Sequence, residues 1–207
     1  MTREPRIVTA EDAPQPAAKA EQGESSTLTA GLKEWAVVCR SLGLGLQTFI
    51  VRAGGIHEDG FAVEAGRFAL LPTRFHEDES RLRPDVWDDL RGLRRLSGDA
   101  IEVRCSASVE FVRPIESVDA VRRLTPLQAL SEAELTGRFE AARRGLILSV
   151  LRVRRLASPV ILSPGEWSAG CRSWADLPRP IADTSEPVLS DAAFAEAAAR
   201  AEDALKR

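Results

Sequence analysis

The chain has 207 residues, 44% of them apolar and 29% charged, which is enough for one sizeable globular domain, and its small net charge of −3 indicates no polyanionic partner by itself. Its three isolated cysteines argue against a disulfide framework or a structural zinc site, and no apolar stretch approaches the ~18 residues that span a bilayer. We therefore expect a cytoplasmic protein with no metal, no cofactor and no membrane association.

The N-terminal segment is rich in Pro, Ala, Glu and Ser and has few large apolar side chains. Such a segment cannot bury enough surface to offset the entropy lost on ordering, so residues 1–27 are predicted to be a disordered tail. We expect a single α+β domain over residues 28–180, then a linker and a C-terminal helix over residues 181–207.

The first half of the domain reads as short strands. "WAVVCRSL" and "LQTFIVR" are strand-like, with Gly43 and Gly45 in the turn between them, and "FAVEAGRFALLPT" repeats the scheme around Gly66. These four strands predict an antiparallel meander. The next segment, "RPDVWDDLRGLRRLSG", predicts a helix that begins near Pro84 and ends at Gly98.

The second half alternates between strands and helices. "AIEVRCSASVEF" alternates apolar and polar residues and predicts a half-buried strand, and "LILSVLRVRRL" predicts a central strand. Between them, "LSEAELTGRFEAARRG" predicts a helix with a capping box formed by Ser131 and Glu134, ending at Gly145. A Pro- and Trp-rich loop is expected over residues 158–187, followed by a helix capped by Ser190. The fold class is therefore α+β, a mainly antiparallel sheet or small barrel, of PUA-like form in its most specific version, with about three helices.

The two histidines lie in identical tripeptides that begin at His57 and His76. Two His-Glu pairs could share a metal, but a metal site needs three or four ligands at defined spacing, and no such signature is present. His57 is better explained as a solvated surface residue. His76 follows "LLPTRF" at a strand end, so it is the stronger candidate for binding or proton transfer.

Two further constellations could carry chemistry. In "SAGCRSW", Cys171 could act as a nucleophile if His76 supplied the base, although Cys171 and Trp174 could equally fill the core. Glu102 and Arg104 share one strand face, as a nuclease would require for a magnesium ligand and a nearby cation. Any solvent-facing strand with alternating charge gives the same pattern.

The basic residues are almost all arginines. Only three of the 28 are lysines, and residues 81–155 contain 15 arginines against 11 acidic residues. The pairs at 122–123, 143–144 and 154–155, with Arg152, could form a basic strip that favours phosphate backbones. They could equally be the solvated faces of amphipathic elements.

Several segments taken together resemble the bacterial and archaeal family called domain of unknown function 1802. They are "LKEWAVVCRSLGLGLQTFIVRAGGI", "RFALLPTRFHE", "LSEAELTGRFEAARRGLILSVLRVRRLASPV" and "GCRSW", and they cover roughly residues 31–178 in the family's order. The resemblance implies no known activity. Some relatives are fused to restriction-endonuclease-like domains, which implies a link to nucleic-acid processing or defence, with this chain as the accessory module.

Two family motifs map onto this sequence with changes. The family's Arg-Lys-Gly-Gly-Ile corresponds to residues 52–56, where Ala53 replaces the lysine and weakens a phosphate-contact role for that turn. The Pro-Thr-x-x-His motif corresponds to Pro72, Thr73 and His76, and Glu77 stands where relatives often have Gln. His57 belongs to no motif, so the two tripeptides are not equivalent.

Three functional hypotheses follow. The leading one is a non-catalytic module that binds a nucleic acid or a nucleotide-like ligand, linked to restriction or nucleic-acid processing, through Arg52, Thr73, Arg74, His76, Arg172 and Trp174. The second is a hydrolase or nuclease-type enzyme with His76 as general acid/base, assisted by Glu77, Glu102 or Cys171. The third is a subunit that docks a protein partner through its helices.

Overall fold

A computed structural model describes residues 27–53, 65–74, 78–86, 100–142, 145–163 and 172–206. These residues contain seven strands and four α-helices, in the order β1 Thr27–Trp35, α1 Ala36–Leu44, β2 Phe49–Arg52, β3 Phe68–Thr73, β4 Ile101–Ile115, α2 Val118–Leu124, α3 Glu132–Ala141, β5 Leu146–Leu162, β6 Trp174–Ala182, β7 Ser185–Pro187 and α4 Asp191–Asp203. Short 3₁₀ turns lie at Glu79–Arg81, Pro84–Val86 and Thr125–Leu127. The predicted α+β class is confirmed. None of the described helices is both long and apolar enough to cross a membrane.

All seven strands belong to one sheet, in the order β2-β5-β4-β3-β1-β6, with β7 paired to β5. The β1–β3 pair is parallel, with Trp35 opposite Thr73, and the other described pairs are antiparallel. The predicted meander is wrong, because β2 pairs with β5 and β3 lies between β1 and β4.

The segment "WAVVCRSL" was predicted as a strand, but residues 36–44 form helix α1. A short buried apolar run has the same pattern in a buried strand and a buried helix, so periodicity does not distinguish them. Gly45 ends the helix with φ 74°, a conformation that favours glycine, and its N–H donates to the Leu42 carbonyl at 3.1 Å. Gly43 allows α1 to pack closely on β4, since a Cβ there would lie 3.0 Å from Cys105 Sγ.

The alternating strand β4 follows its prediction, with Ile101, Val103 and Cys105 buried. Ser106 is the exception on the polar face: it is fully buried, and its Oγ donates to Asp183 Oδ1 at 2.9 Å. The loop predicted over residues 158–187 is wrong in large part, because β5 continues to Leu162 and the segment also contains β6 and β7. Strand β6 holds its prolines because it lies at the edge of the sheet.

The two capped helices form as predicted, with two differences: α3 ends at Ala141 and not at Gly145, and its capping box is incomplete. Ser131 Oγ accepts the Glu134 N–H at 3.2 Å, but the Ser131 N–H donates to the Arg81 carbonyl, so the return half of the capping box is absent. In α4, Ser190 caps the Ala193 N–H, and Phe194 lies among the buried residues of the helix. The helix predicted over residues 84–98 lies largely outside the described residues.

The sheet is strongly curled. Arg52 lies at the end of β2, one edge of the strand order, yet its guanidinium lies 3.0 Å from the carboxylate of Glu34 on β1, next to the other edge. This approach of the two edges is consistent with the small-barrel form of the prediction.

Candidate functional site

A buried polar cluster joins the two edges of the curled sheet. Glu34 is only 4% exposed, and its Oε2 accepts from Arg52 Nη1 at 3.0 Å. The same guanidinium donates to the Lys33 carbonyl at 3.2 Å and to Ser173 Oγ at 2.5 Å. Thr73 Oγ1 donates to the Glu34 carbonyl at 3.2 Å. We call these five residues the Glu34 cluster.

The Glu34 cluster brings together segments that the sequence had marked separately as ligand contacts, namely Arg52, Thr73 and the residues around Ser173. The backbone supports it as well, because the Lys33 N–H donates to the Ser173 carbonyl at 2.8 Å. The Arg52 guanidinium is occupied by a carboxylate, a carbonyl and a hydroxyl of the chain itself, and its side chain is only 16% exposed. This geometry holds strands together and offers little to a ligand.

The other predicted site residues have different surroundings. Trp174 is 6% exposed and packs edge-on against Phe68, with ring centroids 4.9 Å apart, so its ring fills the core and is not placed to stack on a ligand. Arg172 is exposed. His76, Glu77 and Cys171 lie outside the described residues.

A cleft of about 600 Å³ lies between α1, the end of β3, the start of β4 and the middle of β5. Four arginines line it: Arg40, Arg74, Arg104 and Arg155. Glu102 is the one acidic side chain among the described lining residues, which leaves a formal charge of +3 on them. Its apolar wall consists of Leu44, Leu70, Pro72, Ile101, Leu156 and Pro159. We call this site the cationic cleft.

The cleft arginines differ in the hydrogen bonds and ion pairs that they form within the protein. Arg104 makes a two-pronged ion pair with Glu102, with both N–O distances at 2.9 Å. Arg155 donates to the Gly43 carbonyl at 2.8 Å. The Nε of Arg40 is buried and has no hydrogen-bond partner among the residues that the structure describes, a state that is uncommon. Arg74, one of the predicted contact residues, lies exposed on this cleft.

The thiol of Cys105 lies within the electrostatic influence of three cleft arginines. Burial raises the pKa of its thiol, while the positive charges of Arg155, Arg104 and Arg40 oppose that shift. Three of the four guanidinium groups therefore act on one sulfur atom. Because a raised pKa keeps the thiol protonated at neutral pH, Cys105 is a packing residue of the cleft floor rather than a nucleophile.

The described arginines of the predicted basic strip, with the exception of Arg155, have hydrogen-bond or ion-pair partners away from the cleft. Arg122 pairs with Asp119 and Glu132, and Arg123 donates to the Ala204 carbonyl. Likewise, Arg152 pairs with Asp191 and Arg154 donates to Ser185, whereas Arg155 lines the cleft; residues 143–144 lie outside the described part of the chain.

Sequence reasoning missed Arg40 as a site residue. The signal that could have found it is the position of Arg40 one residue after Cys39 in an apolar run, which becomes a helix face only once α1 is known to be a helix. Within the residues that the structure describes, no group of three or more His, Cys, Asp or Glu side chains is placed to hold a metal ion.

The fold and site define a class: an α+β protein with a curled, mostly antiparallel sheet and an arginine-lined cleft. The family model described as domain of unknown function (DUF1802) matches residues 31–200, so the chain belongs to that family. No curated protein and no solved structure matches the chain. The PUA-like form of the fold therefore stays a prediction.

Proposed function

We propose that this protein is a non-catalytic module that binds a nucleic acid or a nucleotide-like ligand in the cationic cleft. The observation that carries the proposal is the set of four arginines that meet one carboxylate in a cleft of about 600 Å³. The planar guanidinium fork matches the oxygen atoms of a phosphate group, and the described lining residues carry a formal charge of +3.

The charge arrangement supports a local rather than a global attraction. The whole chain has a net charge of −3, so a polyanion gains nothing from the average surface. A concave site with positive walls concentrates the field at one place and draws anions there. The link to restriction or nucleic-acid processing that the family resemblance implies fits a recognition role for such a site.

Binding of a labelled single-stranded oligonucleotide of about 20 nucleotides, followed by fluorescence anisotropy at about 50 mM salt, tests the proposal. The double variant Arg74→Gln/Arg155→Gln removes two exposed arginines of the cleft. We expect it to weaken binding at least about tenfold, because each lost phosphate contact removes a charge-assisted hydrogen bond.

The matched control is the double variant Arg122→Gln/Arg200→Gln, which removes the same charge from exposed side chains outside the cleft. We expect it to weaken binding less than about twofold, since screened surface charges contribute little at a distance. Absence of binding of both the oligonucleotide and free mononucleotides by the wild-type protein, or equal losses in the two double variants, would contradict the proposal.

A further inference from the structure

We propose that the unit which enters the cationic cleft is one unpaired nucleotide, with its base against the apolar wall and its phosphate among the arginines. This inference rests on the proposed function and sharpens it, because it separates a single nucleotide unit from an intact duplex.

The shape of the site is the first argument. A volume of about 600 Å³ lies within the range of small-molecule sites in proteins. Duplex DNA is read by a helix or a β-ribbon that protrudes into a groove, which a concave site does not provide. A concave site of this size admits a base only after the base has left the stack.

The division of the lining is the second argument. Leu70, Ile101 and Leu156 are at most 7% exposed and form a fixed apolar floor, while Leu44 is 39% exposed at the edge. A nucleobase has flat apolar faces, and proteins hold extruded bases between aromatic or aliphatic side chains and guanidinium planes. Inorganic phosphate alone would leave this apolar surface unused.

Strands β4 and β5 each contribute apolar and cationic side chains to the cleft. Leu156 and Arg155 on β5 both line the cleft, as do Ile101 and Arg104 on β4, where the pairing shifts register between Val103 and Cys105. Apolar and cationic side chains therefore border the same cleft, as the binding of the base and phosphate of one nucleotide requires. Arg40, which also lines the cleft, adds a further positive charge beside this apolar surface.

Calorimetric titration with small probes tests the inference. The probes are the four ribonucleoside 5′-monophosphates, ribose 5-phosphate and inorganic phosphate, titrated separately. We expect at least one mononucleotide to bind at least about tenfold more tightly than ribose 5-phosphate, because only the mononucleotide covers the apolar wall. A single-stranded oligonucleotide and the duplex of the same sequence form the second arm, in which we expect the single strand to bind at least about tenfold more tightly.

A pair of leucine variants gives a control within the chain. Leu44 lines the cleft, whereas Leu46 does not, although both are exposed, at 39% and 50%. We expect Leu44→Gln to weaken the mononucleotide about threefold and to leave ribose 5-phosphate unchanged, because it removes apolar contact at the mouth. Leu46→Gln should change neither.

The outcomes separate the two proposals. Mononucleotides that bind no better than ribose 5-phosphate, together with oligonucleotides that bind single- and double-stranded alike, would overturn this inference and leave the proposed function standing. No binding of any probe would overturn both. Tight mononucleotide binding supports the inference, with a free nucleotide as the source if single strands do not bind and a nucleotide within a strand if they do.

Discussion

The Glu34 cluster and the cationic cleft both depend on arginine, and the fold treats them in opposite ways. In the cluster, the chain gives one guanidinium a carboxylate, a carbonyl and a hydroxyl, and buries the ion pair. In the cleft, four guanidinium groups border an open volume in which Glu102 is the one carboxylate among the described lining residues, and that carboxylate pairs with Arg104. The difference lies in the acceptors that the fold supplies, since the residue type is the same.

This contrast assigns different roles to the two regions. The buried ion pair between β2 and β1 holds the curled sheet together, so we expect its loss to lower the free energy of unfolding. Cationic groups that outnumber the described carboxylates around an open cleft attract an anion, so we expect their loss to weaken binding. Each of the following variants tests one side of this division.

The largest effect is expected at the Glu34 cluster. Arg52→Gln should lower the free energy of unfolding by about 3 kcal/mol, because it leaves the Glu34 carboxylate buried without its cation. Arg155→Gln, which removes an exposed cleft arginine, should change it by less than about 1 kcal/mol. Urea unfolding of both variants measures the contrast, and equal losses would show that the cluster is not the stabilising region.

A double variant tests the cause of that loss. Arg52→Gln/Glu34→Gln removes the unpaired charge as well, so we expect it to recover part of the stability that Arg52→Gln loses. A double variant that is less stable than the sum of the two single changes predicts would show that desolvated charge is not the reason.

Substitution of Arg40 should raise stability and weaken binding at the same time. Its buried Nε lacks a hydrogen-bond partner within the described ranges, and the positive charges of Arg40, Arg104 and Arg155 all act on the thiol of Cys105. Arg40→Met should therefore raise the free energy of unfolding by about 1 kcal/mol while it weakens oligonucleotide binding about tenfold. Unfolding and anisotropy measured on one preparation check both halves. A destabilised variant with unchanged affinity would show that Arg40 stabilises the fold and does not contribute to binding.

Glu102 should give a smaller effect in the opposite direction. Glu102→Gln removes the acidic charge from the described cleft lining and releases Arg104 from its ion pair, so we expect about threefold tighter binding at low salt. Anisotropy against wild type measures it. A weaker complex would instead favour the nuclease alternative, in which Glu102 holds a magnesium ion.

The smallest effect concerns the two described thiols of the cleft, Cys39 and Cys105. Because burial raises the pKa of Cys105, its thiolate fraction is low at pH 7.5 and rises with pH, so iodoacetamide should modify it more slowly in the folded chain than in urea. A bound mononucleotide should slow the modification of Cys39 about twofold by covering the cleft. Mass spectrometry in a Cys171→Ser background reads each rate, and rapid labelling of Cys105 at neutral pH would contradict its buried placement.

The features predicted well from sequence depend on local rules. Ser131 and Ser190 cap helices because a hydroxyl satisfies an N–H three residues on, and β4 alternates because one of its faces packs on the core. Helix α1 was missed because its cleft-facing side also carries apolar residues such as Cys39 and Leu44, so the sequence shows no clear period that separates helix from strand.

The site depends on contacts between distant elements, which no local sequence pattern indicates. Arg40 and Arg155 come from α1 and β5, which are far apart in sequence, and they meet only because α1 lies over the sheet beside β4. Arg74 was predicted through a motif, and Arg52 was predicted by the same reasoning but lies in the Glu34 cluster. No sequence pattern says which arginine receives a carboxylate from a distant strand, since that depends on the curl of the sheet.

The salt dependence of oligonucleotide binding tests the central claim most directly. Cleft arginines that neutralise the phosphate of the bound nucleotide, and one neighbouring phosphate where a strand continues past it, should give a slope of about −0.7 to −1.4 in log affinity against log salt concentration. The Arg74→Gln/Arg155→Gln variant should make that slope shallower, and Arg122→Gln/Arg200→Gln should leave it at the wild-type value. The same slope in the wild type and both variants would contradict the assignment of the cleft as the phosphate-binding site.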